Sequence, residues 1–344
     1  MVVSVVSCRL NLFAVGLVAM SQRITILGAG IIGLTSGIRL LEEGARVHLV
    51  SDVGPLQSTS QRAAAIWYPY LAMPRDRVQQ WGRVAYDRLI GEAERGVPGV
   101  RIVPMLEFFE WSVSRPWWAE DLASFRFLRS DELRAGYVDG FHVMAPIMTS
   151  STYLTYLLDR FMDLGGTYQW VTERYADLLS FIADYPGDGW INATGLGARE
   201  VASDPALFGV QGQVVRVTHP GFAEALLEDE GRLGILYIVP RETDCIVGGT
   251  AVKGVEHEGV DAAVTQDILR RAATLEPRMA ACDVIDAHVG IRPGRPSVRL
   301  ERDADIRGLV HNYGHGGAGF TLSWGCADEV TSILTGGSTY GVSQ

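Results

Sequence analysis

Two glycine clusters at opposite ends of the chain constrain the fold more than any other feature. The first, "ILGAGIIG" (26–33), lies within "RITILGAGIIGLTSGIRLLEEGARVHLVSD" (23–52). Arg23 to Leu27 is a short apolar strand run. Ile31, Leu34, Ile38 and Leu41 then recur at helical spacing, and Gly44 stands where a helix C-cap belongs. Val47, Leu49 and Val50 form a second strand that closes at Ser51-Asp52. Strand, helix and strand in this order predict a βαβ unit and a parallel sheet around it. Gly28, Gly30 and Gly33 make G-x-G-x-x-G at the strand-to-helix junction. The first glycine permits the tight turn, the second lets backbone approach a pyrophosphate, and the third lets helix and strand pack closely. The amides of Gly28, Ala29, Gly30, Ile31, Ile32 and Gly33, with the helix dipole behind them, suit a dinucleotide's phosphates. Asp52, at the end of the second strand, is placed to accept hydrogen bonds from a ribose. A glycine turn needed only for packing is the competing reading, and the motif alone does not separate FAD from NAD.

The second cluster, "HNYGHGGAGFTLSWGCADEV" (311–330), sets Gly314, Gly316, Gly317 and Gly319 before a helical pattern of Phe320, Trp324, Ala327, Val330 and Leu334. A second helix N-terminus, with its approach cleared of side chains, therefore faces a ligand or a tight structural turn. One dinucleotide has one pyrophosphate, already assigned to the first cluster. A flavin explains the second: reduction gathers negative charge at N1/C2=O, which a helix N-terminus stabilises.

Between the clusters, "MTSSTYLTYLLDRFMDLGG" (148–166) predicts an amphipathic helix. Ser150 or Ser151 would be its N-cap, with Tyr153, Leu157, Phe161 and Leu164 near one face. "GWINATGLGA" (189–198) predicts a buried strand running into a glycine turn, and "TQDILRRAATLEP" (265–277) a helix ended before Pro277. Residues 207–250 alternate strand runs with turn signals, which predicts an antiparallel sheet. The expected fold class is α/β, a Rossmann-like nucleotide-binding domain interleaved with an α+β substrate domain. The nucleotide domain would take residues 21–67, 150–200 and 284–344, and the substrate domain 68–149 and 201–283.

A net charge of −10, from 30 basic and 40 acidic residues with no basic run, argues against nucleic-acid or anionic-membrane partners. Cys8, Cys245, Cys282 and Cys326 form no metal spacing and read as reduced thiols, so no metal is expected. Residues 1–20 are expected to be a tail outside the fold, with an export signal as the alternative. The cytoplasm is the expected compartment, since the ending "STYGVSQ" carries no peroxisomal address.

The stretch "LVHNYGHGGAGFTLSWGCA" (309–327) resembles the C-terminal pattern of the D-amino-acid oxidase family of FAD enzymes. Further landmarks fall in that family's order: "LGAGIIG", "AAAIWYPY" (63–70), "INATG" (191–195), "YIVPR" (237–241) with "GGT" (248–250), and "VGIRPGRPSVRLE" (289–301). The resemblance spans roughly residues 21–335. It implies that Arg292 pairs bidentately with a substrate carboxylate, that Tyr237 adds its hydroxyl, and that the Gly317 carbonyl accepts from the substrate amine. For non-covalently held FAD it implies Gly28, Gly30, Gly33, Asp52, Ser58, Thr59, Ala64, Ala65, Ile66, Thr194, Gly195, Gly316, Gly319, Phe320 and Thr321. His311 and His315 are expected to satisfy local structure and carry no acid/base role. In several family members a second tyrosine covers the substrate. The matching region here, 220–236, has none, and Leu233 stands near that place, so the existence of a lid stays open. Tyr68 likewise follows Trp67 where some relatives carry a different polar residue.

The implied reaction is oxidation of a D-amino acid by hydride transfer to flavin N5, with hydrolysis of the imine to a 2-oxo acid and ammonia. O₂ then yields H₂O₂, and no side-chain base acts on carbon. The partners would be a small D-amino acid and O₂, with monomer and homodimer both open. Neutral side chains are the expected substrates. Two neighbouring activities compete: a D-aspartate oxidase, needing an extra cation such as Arg216, Arg232 or Arg295, and a glycine/sarcosine-type amine oxidase. From a different class, a NAD(P)-binding dehydrogenase or a non-catalytic nucleotide-binding protein would share the first motif.

Overall fold

The computed structural model describes residues 21–69 and 71–336; the expected tail at 1–20 lies outside them. Six strands form the first sheet: β1 (Arg23–Leu27), β2 (Arg46–Ser51), β6 (Thr167–Trp170), β7 (Gly189–Asn192), β14 (Arg299–Arg302) and β15 (Leu309–Tyr313). Nine form the second: β3 (Val100–Phe109), β4 (Arg126–Phe127), β5 (Asp139–Met148), β8 (Phe208–Thr218), β9 (Ala225–Glu228), β10 (Leu236–Pro240), β11 (Asp244–Gly248), β12 (Val252–Lys253) and β13 (Val284–Gly294). The helices are α1 (Ile31–Glu42), α2 (Arg75–Glu94), α3 (Ser150–Asp163), α4 (Leu178–Asp184), α5 (Ala198–Val201), α6 (Ala262–Leu275) and α7 (Gly319–Thr335).

The first sheet runs β14-β15-β7-β1-β2-β6, parallel throughout except for the antiparallel β14 edge. The chain leaves β1 for β2 on one side and later returns to β7 on the other. That reversal opens a crevice at the carboxyl ends of these strands. Ile24, Ile26 and Leu27 are buried, as befits a strand covered on both faces. Gly44, at φ +83°, ends α1 as expected. Helix α7 lies against α1, where the Thr35 hydroxyl donates to the Ser323 carbonyl at 3.3 Å. The Gly319 Cα of α7 stands close enough to Ile31 that an added Cβ would sit 3.7 Å from the Ile31 Cγ2. Both helix N-termini therefore open on one place.

The second sheet is ordered β12-β8-β11-β10-β9-β3-β5-β4, with β13 on the far edge of β8. Its antiparallel β8, β10 and β11 are the strands expected within 207–250. One boundary differs. Residues 284–294, expected with the nucleotide domain, pair with β8 along their length, so the return to the first sheet begins at β14. Two helix starts differ as well. The N-cap of α3 is Thr149, not Ser150 or Ser151, and no side chain caps it. The Ser150 hydroxyl instead donates to the Gln61 carbonyl. Leu164 falls past the helix and is exposed, while Tyr153, Leu157 and Phe161 form the buried face. Helix α6 begins before Thr265, at Ala262, because Asp261 accepts from the Ala263 and Val264 amides.

Polar pins tie the helices together. Glu42 on α1 accepts from Arg39, from Arg88 on α2 and from Arg160 on α3. Burial pushes this carboxyl up, but the guanidiniums, Arg160 foremost, hold it down at about 2. Helix α2, in the stretch expected to belong to the substrate domain, packs on α7 of the nucleotide side. A Cβ on Gly325 would overlap the Trp81 backbone. Gly325→Ala is therefore expected to force α2 and α7 apart and to cost about 2 kcal/mol or more, read from urea unfolding.

Candidate active site

A single cavity of about 620 Å³ runs between the two sheets. At one end it is lined by Gly28, Ala29, Gly30, Ile31 and Ile32, with Asp52, Ser58 and Thr59 beside them. Gly28, at φ +114°, cannot carry a side chain, because a Cβ would lie 2.5 Å from the Ala193 carbonyl oxygen. Gly33 does not line the cavity; a Cβ there would overlap the Gly28 carbonyl, so its part is the close packing of strand and helix. Ser60, adjacent to the expected Ser58-Thr59 pair, accepts the Ile31 amide on its hydroxyl at 3.1 Å and lines the same wall.

Ala64, Ala65 and Ile66 form the next stretch of lining. Ala65 sits at φ +56°, a conformation uncommon for alanine, while its carbonyl is fixed by the Met148 amide at 2.7 Å. Thr194 and Gly195 line the opposite wall, and the Asn192 side chain accepts both the amide and the hydroxyl of Thr194. Gly316, Gly317, Gly319 and Phe320 bring the α7 N-terminus to the cavity. A Cβ on Gly316 would meet nothing, so the space before it is open. Thr321 departs from expectation: it lies off the cavity, its hydroxyl engaged with the Tyr68 amide and carbonyl. Helix dipole, backbone amides, a terminal carboxylate and an elongated cavity together fit an FAD-sized ligand.

The far end of the cavity is floored by the second sheet. Arg292 extends from β13 across β8, where a Cβ on Gly212 would collide with its guanidinium. The Tyr237 ring extends from β10 across β11, and a Cβ on Gly248 would overlap that ring. The two side chains meet over this glycine floor, with the Arg292 Nη2 3.5 Å from the Tyr237 hydroxyl. The Arg292 Nη1 donates to the Thr250 carbonyl at 3.0 Å. No carboxylate of the described residues pairs with Arg292. Of the other cavity arginines, Arg174 is bound to Asp52 at 2.7 Å and Arg199 to Glu256, while Arg62, against Gly290, also has no carboxylate partner among the described residues.

His315 borders the cavity but is fully buried, which holds its imidazole neutral down to about pH 3. Its Nε2 lies 3.5 Å from the Cys326 thiol. His311 is tied to Asp303 at 2.9 Å, and burial lowers it despite that partner. Arg216, Arg232 and Arg295, weighed as extra cations, all lie off the cavity in ion pairs with Asp286, Glu110 and Asp204. Leu233 also lies off it, buried, its amide bound to Glu228. The 229–235 connector thus folds back on the sheet. Among the described residues no helix is long and apolar enough to cross a membrane, and no cluster of His, Cys, Asp and Glu could hold a metal ion.

The FAD dependent oxidoreductase family model matches residues 23–333, and the chain belongs to that family. A D-amino-acid oxidase of Rubrobacter xylanophilus is 41% identical over 90% of this chain and 95% of that protein. A human D-aspartate oxidase is 32% identical over 92% of this chain and 95% of its own length. Among solved structures, glycine oxidase from Geobacillus kaustophilus superposes with a TM-score of 0.75 at 18% identity, covering 93% of this chain and 96% of that one. The chain is an FAD-dependent oxidoreductase of mixed α/β fold.

Reading the family landmarks missed Glu107, on β3 behind Tyr68. The Tyr68 hydroxyl donates to its Oε1 at 3.1 Å, and its Oε2 has no partner. Burial first, then Asp229 and Glu230, push this carboxyl up from 4.5 to about 8. It stays protonated in the fold to about pH 8 but ionises from about 4.5 in the unfolded chain. Its contribution to stability is therefore fully present below about 4.5 and lost as pH rises towards 8. Melting temperatures should fall across that window, and Glu107→Gln should remove a slope worth on the order of a few kcal/mol.

Proposed function

We propose that the chain oxidises D-amino acids to imines that hydrolyse to 2-oxo acids and ammonia, with O₂ reduced to H₂O₂. The observation that carries this reading is Arg292, a guanidinium within a cavity that has no carboxylate partner among the described residues. A charge left in that state calls for an anion, and its planar fork matches both oxygens of a substrate carboxylate. The Thr250 carbonyl orients one end of the fork, leaving the other, with the Tyr237 hydroxyl, to the substrate. The Gly317 carbonyl would accept from the substrate amine. Two such anchors, together with the flavin face towards which the α-hydrogen would have to point, would select one enantiomer.

Bound FAD supplies the hydride acceptor and the reaction with O₂. For it, the amides of Ala29, Gly30 and Ile32 would take the pyrophosphate, those of Gly28 and Ile31 being bound to the Val50 carbonyl and the Ser60 hydroxyl, with Ser58, Thr59 and Ser60 beside them. Asp52 would take the ribose, sharing its carboxylate with Arg174. The α7 N-terminus at Gly316–Phe320 would stabilise negative charge on the ring system, with Ala64, Ala65, Ile66, Thr194 and Gly195 packed around it. Burial lowers His315 to about 3, which leaves its imidazole too weak a base to take a proton from carbon and agrees with a reaction that needs no side-chain base. Arg216, Arg232 and Arg295 are held in salt bridges outside the cavity, so none of these three supplies the extra cation of a D-aspartate oxidase.

Arg292→Ala should leave the flavin absorption of the purified protein in place while lowering kcat/KM for D-Ala by about 10²–10⁴. Arg292→Lys should recover only part of that loss, since one ammonium cannot reproduce the fork. A retained D-Ala turnover in the alanine variant would remove Arg292 from the site. In Gly212→Ala the displaced guanidinium should raise KM with flavin absorption retained, measured by peroxide release.

A further inference from the structure

The floor of the substrate end is charge-graded. The pairing register sets Tyr237 opposite Leu227, and Leu227 opposite Glu107, so these three side chains share one face of the second sheet. On the β13 side of Tyr237 lie the cations: Arg292, and Arg62 next to Gly290. Beyond Leu227 on the other side there is no cation of the cavity lining, and acids take over. Asp229, just past the end of β9, lines the cavity, and among the described residues no hydrogen bond or ion pair engages its carboxylate. It lies close enough to Tyr68 and Glu107 for its charge to act on both. Glu107 is 1% exposed, and its second oxygen is unpartnered. The Tyr68 hydroxyl, the polar tip of a cavity-lining ring, points at that carboxyl.

We propose that Asp229, backed by the Tyr68–Glu107 pair, is the specificity-determining element for the substrate side chain. It rejects D-amino acids ending in a carboxylate and accepts those ending in a hydrogen-bond donor, amide or ammonium. This rests on the D-amino-acid oxidase reading above and specifies the substrate class of the same site. With the α-carboxylate on Arg292 and Tyr237, a side chain laid along Leu227 would point towards Tyr68 and Asp229, which line the same cavity. Burial and the neighbouring Glu230 lift the Asp229 carboxyl only to about 6, so it carries its charge at neutral pH. A second carboxylate there meets like charge in a partly desolvated site, which is the usual way a pocket excludes a competitor. Glu107 acts through Tyr68, holding the ring's hydroxyl, and is a positioning residue.

The test compares isosteres that differ by one charge, D-Gln against D-Glu and D-Asn against D-Asp, by peroxide release from the FAD-loaded protein. The expected wild-type kcat/KM ratio is about 100-fold or more in favour of the amide. In Asp229→Asn the ratio should fall about tenfold, through a lower KM for D-Glu and not a higher kcat. Glu107→Gln should shift the ratio less, and the preference of D-Lys over D-Glu should weaken in Asp229→Asn. Comparable wild-type rates for D-Glu and D-Gln would overturn the proposal whether or not any variant folds. So would an Asp229→Asn protein that loads FAD and keeps the wild-type ratio. Absence of wild-type activity on D-Ala and on every amide would instead count against the oxidase reading itself.

Discussion

A guanidinium laid across glycines, without an acid to meet it, is the constraint from which the substrate end of this protein is built. Sequestering a charge is expensive unless it is paired. Among the described residues Arg292 is compensated only by the Thr250 carbonyl and, at the edge of hydrogen-bonding range, by the Tyr237 hydroxyl. On the proposed reading, the missing partner is the substrate carboxylate. Gly212 and Gly248 follow from that requirement, since either side chain would be displaced by a single methyl beneath it. The same logic explains why the two side chains come from strands that are not neighbours: β8 and β11 between them supply the clearance.

The cofactor end obeys a different economy. Here the chain offers backbone rather than side chains, with two helix N-termini brought together at Ile31 and Gly319. Their convergence depends on α1, α2, α3 and α7 holding a fixed arrangement. The Glu42 carboxylate with its three guanidiniums is one such brace. A second is the chain of hydrogen bonds from the Trp324 indole to Tyr153 and on to Glu92. Networks of this kind gain strength from each member satisfied; here the Arg160 Nη2 reaches Glu42 while its buried Nε has no partner among the described residues.

Local signals in the sequence were readable where they were dictated by backbone geometry. Gly28 and Gly33 could be assigned from spacing alone because no other residue fits their positions. Arg292 and Tyr237 carried no such signal, and only their surrounding motifs singled them out. The start of α3 was misplaced because Thr149, Ser150 and Ser151 are chemically interchangeable as caps, and tertiary contact with Gln61 took the serine away. Residues 284–294 were grouped with the nucleotide domain, but they pair with β8 of the second sheet, a partner that the mixed sequence VIDAHVGIRPG does not disclose. Thr321 was expected at the cofactor, yet the Tyr68 backbone, far off in sequence, occupies its hydroxyl. Glu107 lies within an apolar strand, and Asp229 sits in the acidic run 228–230, which carries no motif. Only the fold brings Glu107 to the Tyr68 hydroxyl and Asp229 to the cavity wall.

The most direct test of the whole arrangement is the visible absorption spectrum of the purified protein before and after anaerobic addition of D-Ala. The account predicts a yellow protein whose flavin bands bleach with D-Ala and not with L-Ala, and return on admitting air. A colourless protein that takes up no added FAD, or a yellow one left unbleached by every D-amino acid offered, would contradict it.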